Sequence, residues 1–208
     1  MKNRKGFTLI ELCVAMAIAT FVMAAIYSVY RAQTQSHRAQ QLVVEMQQNM
    51  RAAMYLLERE IRMAGYSPTL PPADAGFIEN FISLGSPHNG SGAAINTTNI
   101  AFTVDDDSNG AIAPSSGEAI AFRYNAGDET LERWGWDDLA GAWDWYVISQ
   151  QITNFSITYH KQDDSVIGLP ITTADMTEIY SVEVNIEASS GDRTMNLSNK
   201  IKCRNMGF

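Results

Sequence analysis

Along this chain the apolar positions change rhythm, and each rhythm predicts a different element. From Phe7 to Tyr30 they are nearly continuous, with Glu11 the only formal charge in the run. At about 1.5 Å per residue, a helix of that length crosses a hydrocarbon core of about 30 Å. Farther on the apolar residues thin to Val43, Met46, Met50, Ala53, Leu57, Ile61 and Ala64, spaced by three and four, which lays one stripe down a helix. No glycine or proline interrupts Phe7 to Ala64, and Gly65 followed by Pro68 supplies the stop. A helix of about 85 Å is expected, its first half suited to lipid and its second to packing on a sheet. Glu58 and Arg62, at i and i+4, are expected to pair on its outer side.

From Ser67 to Asn99 the chain is rich in Pro, Gly, Ser and Asn, which predicts a long variable loop with one short apolar piece around Phe77 to Leu84. After Ile100 the period falls to two. Candidate strands are Ile100 to Val104, Ala119 to Tyr124, Leu131 to Trp136, Trp143 to Ser149, Ile152 to His160, Ile179 to Ala188 and Thr194 to Cys203. Ile120, Phe122 and Tyr124 alternate with polar or small residues, as do Phe155, Ile157 and Tyr159, so each set turns one apolar face toward the helix.

Charge narrows the choice of partners. The chain carries −8, and loss of Lys2, Arg4 and Lys5 with a leader would take the side-chain charge to −11. So acidic a chain is a poor general binder of nucleic acid, and no nucleic-acid partner is expected. Cys13 lies in the apolar run and Cys203 near the C-terminus, too far apart in the expected fold to form a disulfide within one chain. His37, His88 and His160 are scattered, and no His-Glu-x-x-His or Gly-x-Ser-x-Gly pattern occurs. An enzyme is not expected.

Glu11 demands a reason, because a charge inside a membrane helix costs roughly 2.5–3.5 kcal/mol on insertion scales unless a partner neutralises it. A basic leader of Lys2, Arg4 and Lys5 ends in Gly6, Phe7 follows, and Glu11 stands five residues beyond the glycine. These residues resemble the N-terminus of type IV pilins and pseudopilins. The resemblance implies cleavage between Gly6 and Phe7 by a prepilin peptidase, N-methylation of the new amine on Phe7, and pairing of Glu11 with the terminal amine of a neighbouring subunit. Two other readings share the apolar run. A secretory signal peptide would be cut near Ala17, but its apolar core is usually about 7–15 residues. A plain single-pass anchor would have the same cytoplasmic N-terminus, set by the basic leader.

The stretch from Met46 to Tyr66, closing in Ile61-Arg62-Met63-Ala64-Gly65-Tyr66, looks like the end of the spine in PilW-type minor pilins. Ser28 occupies a place where major pilins commonly carry proline, and the missing C-terminal disulfide loop likewise points to a minor component. The resemblance covers residues 6 to 66. It implies an α+β, pilin-like fold: leader 1–6, membrane half of the spine 7–30, exported half 31–65, and a β-rich head 66–208 on an antiparallel sheet, with variable loop 67–99. Implied partners are the prepilin peptidase, the bacterial inner membrane with the head periplasmic, other minor pilins and the major pilin. The implied role is initiation or capping of a type IV pilus. A minor pseudopilin of a type II secretion system shares the leader and the spine.

Two constellations in the head carry candidate chemistry. Asp105, Asp107, Asn109 and Gly110 reproduce the opening D-x-D-x-N-G of a calcium loop, with the Ala111 carbonyl available and Glu118 as the closing carboxylate, two residues later than an EF-hand requires. The competing reading is an acidic solvated turn. Trp134, Trp136, Trp143 and Trp145 are symmetric about a hairpin loop at Asp137 to Ala142, which pairs Trp134 with Trp145 and Trp136 with Trp143 on one face. That face serves either as hairpin packing or as an aromatic platform for a glycan, a surface or a neighbouring subunit, the latter making the protein a tip adhesin.

Overall fold

The computed structural model describes residues 8–68, 76–78, 95–112, 117–137, 142–190 and 193–204. The chain divides into two compact units, Met1–Val44 and Glu45–Phe208. In the first, helix α1 (Leu9–Ile61) begins, and every described residue to Val44 except Thr34 and Val43 is exposed. Its hydroxyls fold back on the backbone: Thr20 donates to Ala17 O at 2.7 Å and Ser28 to Ala25 O at 2.8 Å. Those bonds hide the polar groups within the apolar run, as lipid requires.

In the second unit α1 turns amphipathic, burying Met46, Met50, Ala53, Met54, Leu57, Glu60 and Ile61. The three-and-four spacing puts these residues on one side, and each large apolar member contributes about 1.5–3 kcal/mol when fully buried. The helix tightens after Ile61, with Met63 N donating to Glu60 O at 3.0 Å and Ala64 N to Ile61 O at 3.1 Å. Gly65 then takes φ 73°, the left-handed conformation that ends helices, and its N–H reaches Thr103 O at 3.0 Å.

Strands β1 (Asn99–Thr103), β2 (Ala119–Asn125), β3 (Thr130–Asp137) and β4 (Ala142–Ser149) form an antiparallel meander in that order. Strands β5 (Ile152–His160), β6 (Ser181–Ser190) and β7 (Arg193–Lys202) form a second antiparallel sheet. The expected strands are all present, but they make two sheets where one was expected. The division occurs at Gln150-Gln151: Gln151 takes φ 62°, and Ile152 N donates to Glu129 O at 2.9 Å, so the chain leaves the meander instead of closing another hairpin. A one-turn helix α2 (Thr173–Met176), closed by a reciprocal Thr172–Asp175 capping box, precedes β6.

The segment before β1 ties the sheets together. Thr97 O accepts from Ile157 N at 2.7 Å, Thr98 O accepts from Tyr124 N at 3.0 Å, and the buried Tyr159 hydroxyl donates to Asn96 O and Asn99 O. The stripe of α1 packs in one core with Ile100, Phe102, Ile120, Phe122 and Leu131 of the meander and with Phe155, Ile157, Val182, Val184, Ile186 and Ile201 of the second sheet. Of the short apolar piece in the variable loop, Phe77 joins this core beside Phe102 and Tyr159, while residues 79–84 lie outside the described residues. Cys203 is buried, and burial pushes its thiol pKa up to about 12.

Glu58 and Arg62 pair as the spacing predicts, but not simply on an outer face. Glu58 also accepts from Asn199 Nδ2 of β7 at 3.1 Å, so the pair fastens α1 to the edge of the second sheet.

Candidate functional site

The first site is the start of α1. Gly6 and Phe7, the expected cleavage and methylation positions, lie outside the described residues. Glu11 is exposed in the first turn of the helix. Its Oε2 accepts from Thr8 N and from Thr8 Oγ1, both at 2.8 Å, and Glu11 N donates to Thr8 Oγ1 at 3.4 Å. This is a reciprocal capping box: two backbone N–H groups that the first turn cannot pair internally find side-chain acceptors. The expected partner is therefore not the whole role of Glu11: Thr8-x-x-Glu11 is the pattern that signals such a cap, and Thr8 was not foreseen from the sequence. Within one chain Glu11 caps the helix and leaves its negative charge toward the surroundings. The described helix is long and apolar enough to cross a membrane.

The second site is the acidic loop between β1 and β2. Asp105, Asp107 and Glu118 each bring a carboxylate oxygen within 4.8 Å of the others. Asp105 and Glu118 are buried, whereas Asp107 is exposed. Asp105 Oδ2 accepts from Ser67 Oγ at 2.8 Å and from Gly110 N at 3.3 Å, which moors the loop to the chain just beyond α1. Asn109 is turned to other work, its Oδ1 accepting from Ala111 N at 2.7 Å and its Nδ2 donating to Asp107. The loop thus gathers three of the expected ligands, and Glu118 stands with Asp105 and Asp107 despite its shifted spacing. Three hard carboxylate oxygens at this separation fit calcium in kind.

The third site is the outer face of the meander. The register pairs Trp134 with Trp145 and Trp136 with Trp143. Trp134 is buried, Trp143 and Trp145 are half-buried, and the Trp136 side chain lies outside the described residues. The Trp134 ring stacks on Trp143 at 6.4 Å and meets Trp145 edge-on at 5.4 Å, while the Arg123 guanidinium lies 4.3 Å from the centre of the Trp145 ring. Their floor is Ala101, Ala119 and Ala121, the small residues that alternate with the large core residues of β1 and β2. Sequence reasoning had no use for these alanines. They are what lets four-stranded pleating seat indole rings against the sheet. Gly117, at φ 91°, brings Glu118 past this cluster, and a Cβ there would sit 3.6 Å from Trp143.

An ion pair between a buried carboxylate and a half-buried arginine was not foreseen from the sequence. Glu60, on the core side of α1, receives Arg133 Nε of β3 at 2.9 Å and 3.2 Å on its two oxygens. A charge on an apolar stripe was the available signal.

A family model described as prokaryotic N-terminal methylation motif matches residues 1–27. Another, described as prepilin peptidase-dependent protein B, matches residues 39–203. No curated protein matches the chain.

Proposed function

The chain belongs to the prepilin peptidase-dependent protein B family, and from that premise we propose that it is a structural minor pilin that helps initiate or cap a type IV pilus. In this reading the peptidase cuts between Gly6 and Phe7, the new amine on Phe7 is methylated, and Glu11 enters the filament by pairing with the amine of a neighbouring subunit. The chain is then a minor pilin of the PilW type, and other minor pilins and the major pilin are its partners. The observation that carries the reading is the N-terminal motif at 1–27 followed by an exposed apolar helix whose one early charge is Glu11. A deletion strain in the native host tests it: loss of surface pili with normal protein secretion supports the pilus. Normal piliation with a secretion defect would favour the minor pseudopilin of a type II secretion system.

The half-exposure of Trp143 and Trp145 favours one further reading, a tip adhesin that uses this face. Trp143→Ala/Trp145→Ala in a piliated strain separates the two. Lost surface binding with intact pili supports adhesion, and lost pili with a folded head supports assembly.

For the acidic loop the proposal is a calcium ion held by Asp105, Asp107 and Glu118, with Asn109 and the Ala111 carbonyl as the other expected ligands. Calcium at about 100 times its Kd would stabilise the head by about 2.7 kcal/mol. Thermal unfolding of the full chain in detergent should move upward with calcium, and Asp107→Ala should abolish the shift. An equal midpoint with and without calcium leaves the loop a solvated turn.

A further inference from the structure

On this acidic chain the end of α1 carries a concentrated positive site. A cavity of about 470 Å³ opens there, walled by the rings of Tyr55 and Tyr66 and by Met63. Arg59, Arg62 and Arg204 line it, against a single carboxylate, Glu58. Glu58 is engaged by Arg62 and by Asn199. Arg59 reaches Glu60 at 3.4 Å, but Glu60 is already held on both oxygens by Arg133. Arg204 makes no ion pair with another described residue. Pairing among the described residues therefore leaves Arg59 and Arg204 as surplus charge, a net of +2 over the lining residues of a chain whose total is −8.

The helix dipole favours cations at the end of α1, which accounts for Arg59 in its last turn and Arg62 just beyond it. It does not account for Arg204, which arrives from beyond β7. Three guanidinium groups converging from two elements, beside two aromatic rings, are the chemistry that recognises a carboxylate on a short apolar stem. Arg59 and Tyr55 are exposed, so the site is open to a partner.

We propose that this cavity is a docking site for an acidic segment, an Asp or Glu side chain with its flanking residues, on a neighbouring subunit of the filament. The inference rests on the pilin reading above. Charge complementarity supplies the occupant: a lining of net +2 calls for a carboxylate, and a mature chain near −11 shows how many such groups a subunit of this kind offers. The site fixes which face of the head its neighbour meets, a role separate from that of Glu11.

Photo-crosslinking tests this with p-benzoylphenylalanine in place of Tyr55, in the full chain expressed in its native host. The expected product joins this chain to another pilin-motif subunit through a peptide containing Asp or Glu. Arg59→Glu/Arg204→Glu should lower its yield roughly tenfold, and changing the captured carboxylate to Lys in the partner should restore it. Arg59→Lys/Arg204→Lys, with native circular dichroism, controls for folding and should keep most of the yield. A product whose yield ignores charge reversal overturns the proposal. So does binding of inorganic phosphate by the detergent-solubilised wild type when no subunit adduct forms in cells. N-terminal sequencing of the same preparation separates the two levels: a methylated Phe7 start without the charge-sensitive adduct removes only the docking site, whereas an unprocessed chain removes the pilin reading beneath it.

Discussion

Residues 9–30 and 45–61 of α1 are both helical and both rich in apolar side chains, but their burial is opposite. In the first stretch Leu9, Ile10, Leu12, Val14, Phe21 and Val22 all stand exposed. In the second, Met46, Met50, Leu57 and Ile61 are at most 2% exposed. The difference follows from periodicity: a stretch apolar on every side cannot be covered by one sheet, whereas a single stripe can. Apolar surface that its own chain leaves uncovered suits another medium, and this stretch is long and apolar enough to cross a membrane.

The largest way to break that contrast is a matched pair of truncations. Leu57→Ala should cost about 2–5 kcal/mol in denaturant unfolding of the detergent-solubilised chain, because it empties a site with no exposure. Leu12→Ala, which is 59% exposed, should change the same measurement by no more than about 0.5 kcal/mol. An equal effect at both positions would erase the distinction.

Next is the ion pair that fastens the buried half to β3. Arg133→Met leaves Glu60 buried without the Nε that both its oxygens share and should cost about 1–3 kcal/mol. Glu60→Gln in the same background should recover part of that loss, as a double-mutant cycle would show. Smaller again, Trp145→Ala should cost about 1.5 kcal/mol through its lost ring and guanidinium contacts, without disturbing the α1 core on the other face of the meander.

The smallest effect is alkaline. Burial holds the Cys203 thiol near 12 in the folded chain, against an ordinary value of 9.0. Between those values the unfolded chain ionises and the folded one does not, so stability that is whole below pH 9 drains away as pH rises toward 12. At pH 10 the loss from this thiol should be about 1.4 kcal/mol. Cys203→Ser should remove the thiol's share of this slope and leave that of the Tyr159 hydroxyl, which burial also pushes well above its ordinary value, and iodoacetamide should label Cys203 only on unfolding while labelling exposed Cys13 freely in a detergent that leaves it accessible.

The elements that repeat locally were readable in the sequence. Period three-and-four gave α1 its stripe, period two gave every strand, and mirror symmetry gave the Trp134–Trp145 and Trp136–Trp143 pairing. What depended on one backbone angle was not readable: Gln151 in a left-handed conformation turns an apparent hairpin into the passage between two sheets. The acidic residues were visible as a loop motif, but the approach of Glu118 to Asp105 and Asp107 comes from pairing of β1 with β2, which brings Thr103 opposite Ala119. The arginine cavity was invisible because Arg59 and Arg204 are separated by almost the whole head and carry no shared pattern.

The central claim is that the exposed half of α1 is the N-terminus of a processed pilin. Intact mass and N-terminal sequence of the protein from its native host test it most directly, with wild type set against Gly6→Ala. An N-methylated Phe7 start in the wild type, lost in the variant, is the predicted result. An intact Met1, or cleavage near Ala17, would contradict it and leave a β-rich domain that is merely anchored or secreted.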